Sequence, residues 1–173
     1  IWSALAARYK DSAVVAGYDL LNEPALPTGV PASDLPALMT RLRDAVREVD
    51  DHHMLFVEGD TLAHDFGAFE APLDDNMAYS FHAYALTGFE DWASPSKEVL
   101  QPYLTLRADH ERPIWLGEWG EETKEWQKSM VTLMEENDVG WAVYPWTRKQ
   151  TWFFNPVLQR IPDSPKWYAL ASY

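Results

Sequence analysis

Two glutamates each stand at the end of a short apolar run. In Gly17-Tyr-Asp-Leu-Leu-Asn-Glu-Pro24 the run exits through Asn22 and Glu23, and in Pro113-Ile-Trp-Leu-Gly-Glu-Trp-Gly120 it reaches Glu118. Two carboxyl groups converging on one bond can divide the work of cleaving a glycosidic linkage. One protonates the leaving oxygen and the other meets the developing oxocarbenium ion. Glu23 and Glu118 can share that work only if both strand ends reach one rim, which a parallel α/β barrel achieves. Two more runs close on chemistry-bearing residues. His82 and Tyr84 stand two apart, hence on one strand face, and Trp146 ends Val143-Tyr-Pro-Trp146. Asn-Glu-Pro alone is a weak signal, because any strand-to-loop exit favours Asn and Pro. The ordered series of four strand ends carries the argument.

The elements that must position these residues follow from periodicity. Trp2 to Tyr9 is an Ala-rich amphipathic helix, and Val14 to Leu21 reads as a buried strand. Ser33-Asp34-Leu-Pro36 has the form of a capped helix start, and Leu38, Leu42, Ala45, Val46 and Val49 continue one apolar face to Asp50. Met54 to Val57 is the next strand. A helix around Thr61 to Phe69 precedes a third strand, Met77 to Phe81. Ser96 to Asp109 has helical spacing, with Pro102 marking a kink or a start. Ile114 to Leu116 is strand four, Glu122 to Glu136 a helix ended by Asn137-Asp138, and Val139 to Val143 strand five. Pro165 to Tyr173 can form a last helix. Alternation of this kind specifies an α/β fold with parallel strands and right-handed crossovers.

Composition bounds the function. The chain has 173 residues, 47% of them apolar, enough for one globular domain spanning residues 1–173. Acidic residues outnumber basic ones 27 to 14, and the net charge of -13 repels phosphate backbones and anionic lipid, so nucleic acid is a poor candidate partner and none is expected. The nine tryptophans suit the apolar faces of pyranose rings, although most such side chains fill cores. No cysteine is present, which excludes disulfides and thiolate metal sites. No apolar run approaches the roughly 20 residues needed to span a bilayer. A glycine-rich phosphate loop and a Gly-x-Ser-x-Gly elbow are both missing, and His52-His53 reads as a solvated pair at a helix exit. The chemistry requires neither a metal nor an organic cofactor. The chain begins at Ile1, inside what reads as a helix already under way, and it is expected to be a piece of a longer protein.

Asn22-Glu23-Pro24, His82-Ala-Tyr84, the Glu118 strand and Trp146 together resemble glycoside hydrolase family 5, which includes cellulases, mannanases and endoglycosidases. The resemblance covers nearly the whole chain. It implies a (β/α)8 barrel of which strands four to eight are present and the first three βα units are absent. It also implies a retaining, cellulase-like hydrolase of a β-linked polysaccharide that works by double displacement. Glu23 takes the place of the acid/base at the end of strand four and Glu118 that of the nucleophile on strand seven. By the same resemblance Tyr84 donates a hydrogen bond to Glu118, Asn22 holds the sugar 2-hydroxyl, His82 binds in the central subsite and Trp146 floors the subsite of the attacked sugar. Trp92 and Trp119 are candidate platforms for neighbouring subsites. Glu58 and Asp60 also reach the rim and are expected to be solvated or to touch substrate, with no chemical role. Localisation stays open, with secretion implied by resemblance alone.

A five-stranded parallel sheet exposes unpaired edges, so an N-terminal half-barrel or self-association is expected to cover them. Two other activities stay open at this point. The chain could be a noncatalytic sugar-binding or assembly fragment of such a barrel, or it could belong to a mannanase or a glycoconjugate endoglycosidase. Neither the glycan nor endo versus exo action is written in the residues.

Overall fold

In the computed structural model the described residues are 1–85, 90–120 and 123–144. Five strands form one sheet in the order β1 (Gly17–Asp19), β2 (Met54–Glu58), β3 (Met77–Ala83), β4 (Ile114–Trp119) and β5 (Gly140–Trp141). The sheet is parallel, and sequence neighbours are neighbours in space. β1 pairs with β2 from Gly17 opposite Met54 to Asp19 opposite Phe56, and β2 pairs with β3 from Leu55 opposite Met77 to Glu58 opposite Ser80. The Tyr79 amide donates to the Pro113 carbonyl, while Ala142 and Tyr144 donate to Leu116 and Trp119. This is the expected α/β architecture.

The chain divides into two compact units. The first comprises Ile1–Phe81 and Tyr103–Trp115. Helix α1 (Trp2–Tyr9) packs on α2 (Asp34–Arg47), whose inward stripe is Leu35, Met39 and Val46. The Trp2 indole donates to the Leu20 carbonyl and so ties α1 to the chain leaving β1. Phe66 meets Tyr79 edge-on at 5.4 Å, and Phe81 stacks on Tyr103 at 4.2 Å, a geometry that adds to the area these rings bury. Arg47 closes the far end of α2: its guanidinium donates to both carboxylate oxygens of Asp74 at 2.9 Å and to the carbonyls of Asp50, His53 and Asn76.

The second unit comprises His82–Pro102 and the chain from Leu116 onward. Within it α5 (Lys124–Glu136) buries Trp126, Met130, Val131, Leu133 and Met134. Its start is capped by Thr123, whose hydroxyl accepts from the Trp126 amide at 3.2 Å. Helix α4 (Lys97–His110) runs through both units and carries Pro102 inside it, so the proline neither starts nor ends the helix.

Several expectations need correcting. Only Gly17–Asp19 of the run Val14 to Leu21 is strand, because turns at Ser12 and Val15 precede it and leave Val14 94% exposed. Ser33 makes no capping bond: it already has helical angles, φ -65 and ψ -15, from which its hydroxyl does not reach the first amides. In place of a helix over Thr61 to Phe69 there is one turn, α3 (Asp60–Ala63), left-handed at Thr61 and Leu62. Strand β4 extends past Leu116, so Glu118 lies within it. His53 is buried, not solvated. The expected helix Pro165 to Tyr173 lies outside the described residues.

Candidate active site

The first unit holds Asn22 and Glu23. Beyond β1 the Leu20 amide still pairs with the Phe56 carbonyl, after which the chain turns away through exposed Asn22 and half-buried Glu23. Glu23 adopts φ 46, the left-handed region that a Cβ disfavours. Its amide donates to Oε2 of Glu58 at 2.5 Å. Glu58 closes β2 and is 1% exposed, so it is a buried internal acceptor and not the solvated rim residue expected. Asp60 likewise turns inward on the chain: its Oδ1 accepts from the amides of Leu26 at 2.8 Å and Thr61 at 2.7 Å. Sequence reasoning placed both acids at the rim but missed this clamp. Its only signal was a pair of acids flanking a glycine at a strand end.

The second unit holds the other candidates. β3 ends in His82 and Ala83, and Tyr84 follows. Strand periodicity puts His82 and Tyr84 on one side. The Tyr84 hydroxyl donates to Oε2 of Glu118 at 2.9 Å, and Nδ1 of His82 lies 3.9 Å from the same oxygen. His82 is buried while Glu118 is partly open to solvent. Gly120, two residues on, has φ 142, and a Cβ there would stand 2.6 Å from the Tyr144 carbonyl oxygen, so only glycine lets the chain leave β4 beside β5.

Trp92 and Trp119 are core residues and not open platforms. Trp119 is 0% exposed, with its ring 5.4 Å from Trp141 edge-on and 6.1 Å from Trp126, and Trp92 is 2% exposed with its carbonyl accepting from the Trp126 indole. A ring covered on every side offers no face to a sugar. Trp146 lies outside the described residues.

A parallel α/β sheet whose strand ends carry glutamate, histidine and tyrosine, with the tyrosine bonded to a strand-borne glutamate, defines a barrel of the glycosidase class. Residues 1–150 match the cellulase family, glycosyl hydrolase family 5, and the chain belongs to that family. A relative named beta-xylosidase, from Phanerodontia chrysosporium, is 36% identical over 132 residues, covering 69% of this chain and 27% of its own length. Among solved structures, Thermotoga maritima Cel5A in complex with cellobiose aligns with a TM-score of 0.72 at 18% identity, over 98% of this chain and 63% of that one. The same enzyme in complex with mannotriose gives 0.69 at 19% identity over 84% and 57%. The endoglucanase Cel5A of Pseudomonas stutzeri gives 0.65 at 23% identity over 83% and 50%. These structures share the fold. The chain spans about a quarter of the xylosidase-named relative and between half and two thirds of the solved ones.

Proposed function

We propose that this chain forms the C-terminal part of the catalytic barrel of a retaining glycosidase acting on a β-linked oligo- or polysaccharide, with Glu118 as nucleophile and Glu23 as general acid/base. The observation that carries the reading is the 2.9 Å bond from the Tyr84 hydroxyl to Glu118, with His82 beside it. A donor on one oxygen steadies the carboxylate in its ionised form and fixes its orientation for attack. Support for the pairing comes from topology: Glu23 follows β1 and Glu118 lies on β4 of one parallel sheet, whose strands all leave by the same edge.

In the first step Glu23 gives its proton to the glycosidic oxygen while Glu118 attacks the anomeric carbon. The bond to the leaving alcohol breaks and a glycosyl ester forms. In the second step Glu23 takes a proton from water, the water oxygen attacks the anomeric carbon, and the ester bond returns its electron pair to Glu118. Both residues end as they began. Asn22 is assigned to the sugar 2-hydroxyl and Trp146 to the floor of the attacked sugar's subsite. A β-1,4-glucan is the favoured substrate, since the solved relatives include endoglucanases and a cellobiose complex; the xylosidase-named relative makes a xylan the next to assay.

The test is hydrolysis by the intact protein, with the anomeric form of the first product followed by proton NMR. A β-anomer appearing first, and lost together with turnover in Glu118→Gln, is the expected result. An α-anomer appearing first removes the double displacement, and turnover that survives Glu118→Gln removes the nucleophile.

A further inference from the structure

We propose that Glu58 is a positioning residue for the acid/base Glu23, holding through the Glu23 amide the left-handed backbone from which that side chain projects. This rests on the assignment of Glu23 in the preceding section and adds a residue to it. A glutamate at φ 46 is disfavoured by its own Cβ and holds that geometry only where surrounding bonds over-determine it. Here the surrounding bonds are visible. The buried Glu58 carboxyl accepts the Glu23 amide at 2.5 Å, the Leu62 amide donates to the Pro24 carbonyl at 3.1 Å, and Asp60 Oδ1 takes the Leu26 amide at 2.8 Å. Three hydrogen bonds therefore fasten the chain of residues 23–26 to the last residue of β2 and the loop that follows it.

That loop is itself built to face this way. Thr61, Leu62 and Ala63 all have positive φ, at 55, 59 and 68, a run of left-handed residues that aims the Leu62 amide at Pro24. Asp60 and Asp65 bridge the loop base, the Asp60 amide giving 2.7 Å to the Asp65 carbonyl and the Asp65 amide 2.9 Å in return. Gly59 permits the bridge, since a Cβ there would stand 2.4 Å from the Asp65 carbonyl oxygen. Positive φ occurs in both segments that these bonds join, at Glu23 and at Thr61 to Ala63, and the bond from Glu58 falls on the amide of the residue that carries the proton, which marks the arrangement as positioning. A displacement of about 1 Å at a reacting group can cost on the order of a hundredfold in rate.

The experiment uses the dependence on leaving group, because general-acid catalysis matters for a poor leaving group and not for a good one. The intact protein is assayed for kcat/KM on phenyl β-cellobioside and 2,4-dinitrophenyl β-cellobioside, with the xylobiosides substituted if the native protein prefers them. Glu58→Met removes the acceptor, Glu58→Asp withdraws it by one methylene, Glu58→Gln retains it, and Glu23→Ala is the control. The ratio of the two rates is independent of the fraction folded, so a loss of stability does not imitate the effect. The expected result is a fall of roughly ten- to a hundredfold on the phenyl glycoside in Glu58→Met, smaller in Glu58→Asp, with the dinitrophenyl glycoside nearly unchanged and Glu58→Gln close to native. Parallel falls on both substrates, or no fall, with Glu23→Ala still selective, overturn the role of Glu58 alone. If Glu23→Ala shows no selectivity, the acid/base assignment itself fails.

Discussion

The hydroxyl of Tyr84 and the carboxylate of Glu118 are joined by a 2.9 Å hydrogen bond between the residue just past β3 and the fifth residue of β4. Both belong to one compact unit. A donor to a charged acceptor contributes about 1.5–3 kcal/mol, and under the proposed mechanism it would orient Glu118 more than it would add to substrate affinity.

Tyr84→Phe should therefore lower kcat/KM by roughly ten- to a hundredfold, with KM little changed and the thermal midpoint close to native. Steady-state kinetics of the intact protein provide the check. A rise in KM with kcat intact would move Tyr84 from the nucleophile to the substrate.

Trp119 leads to the opposite expectation. Its ring is enclosed by Trp126 and Trp141, and truncation would leave a cavity in the core of the second unit. Trp119→Ala should cost about 3–5 kcal/mol of stability, with a corresponding fall in the thermal midpoint or in soluble yield, and Trp119→Phe considerably less. Per folded molecule, affinity for cello-oligosaccharides should be unchanged in Trp119→Phe. Weaker binding at native stability would restore the platform role.

What could be read in the sequence and what could not separate along physical lines. Helices α1 and α2 were legible as elements because apolar spacing marks a helix, but the buried stripe of α2 is Leu35, Met39 and Val46, and of the face expected from Leu38 to Val49 only Val46 is in it, with Leu38 exposed. The strands that carry Met54, Met77 and Ile114 were legible as apolar runs between turn signals. Val14 was misjudged because an apolar run has no mark telling exposed turn from buried strand. The left-handed turn at Thr61 and Leu62 was invisible, since neither residue type favours positive φ and the cause is the remote bonds to Pro24 and from Leu26 to Asp60. Glu58 and Trp119 failed for one shared reason. Residue type near a strand end suggests a rim, and whether the side chain turns inward is decided by neighbours distant in sequence. Family resemblance supplied the Tyr84 to Glu118 contact that periodicity alone would not have paired.

The last prediction concerns the buried network of Tyr18, Asp50 and His53. Asp50 accepts from the Tyr18 hydroxyl at 2.7 Å, from Nδ1 of His53 at 2.7 Å, and from the amides of His52 and His53. The other ring nitrogen of His53 faces the Ser12 carbonyl at 3.1 Å, so both nitrogens meet acceptors and the imidazolium is the form that satisfies them. The Ser12 carbonyl raises the His53 pKa above its usual 6.5, burial opposes the rise, and Asp50 reinforces it. Burial also pushes Asp50 upward, but the hydrogen bonds from Tyr18, His52 and His53 outweigh it and hold the carboxyl well below the usual range. Tyr18 is pushed up to about 12 by burial and by its bond to Asp50. The signs then follow from linkage. A raised His53 pKa gives stability that is complete below about pH 6.5 and is lost as pH climbs through the folded value. A lowered Asp50 pKa gives stability that is complete above about pH 4 and is lost as pH falls toward the folded value. The network should thus stabilise most between about pH 4 and 6.5, and the thermal midpoint should decline on the alkaline side of that window. His53→Gln should start from a lower midpoint at pH 6 and lose the part of the alkaline decline that His53 supplies, whereas His52→Gln, altering an exposed ring, should follow the native curve. Thermal unfolding from pH 4 to 9 for the three proteins decides it, and native and His53→Gln curves that run parallel throughout would mean that His53 is neutral in the folded chain.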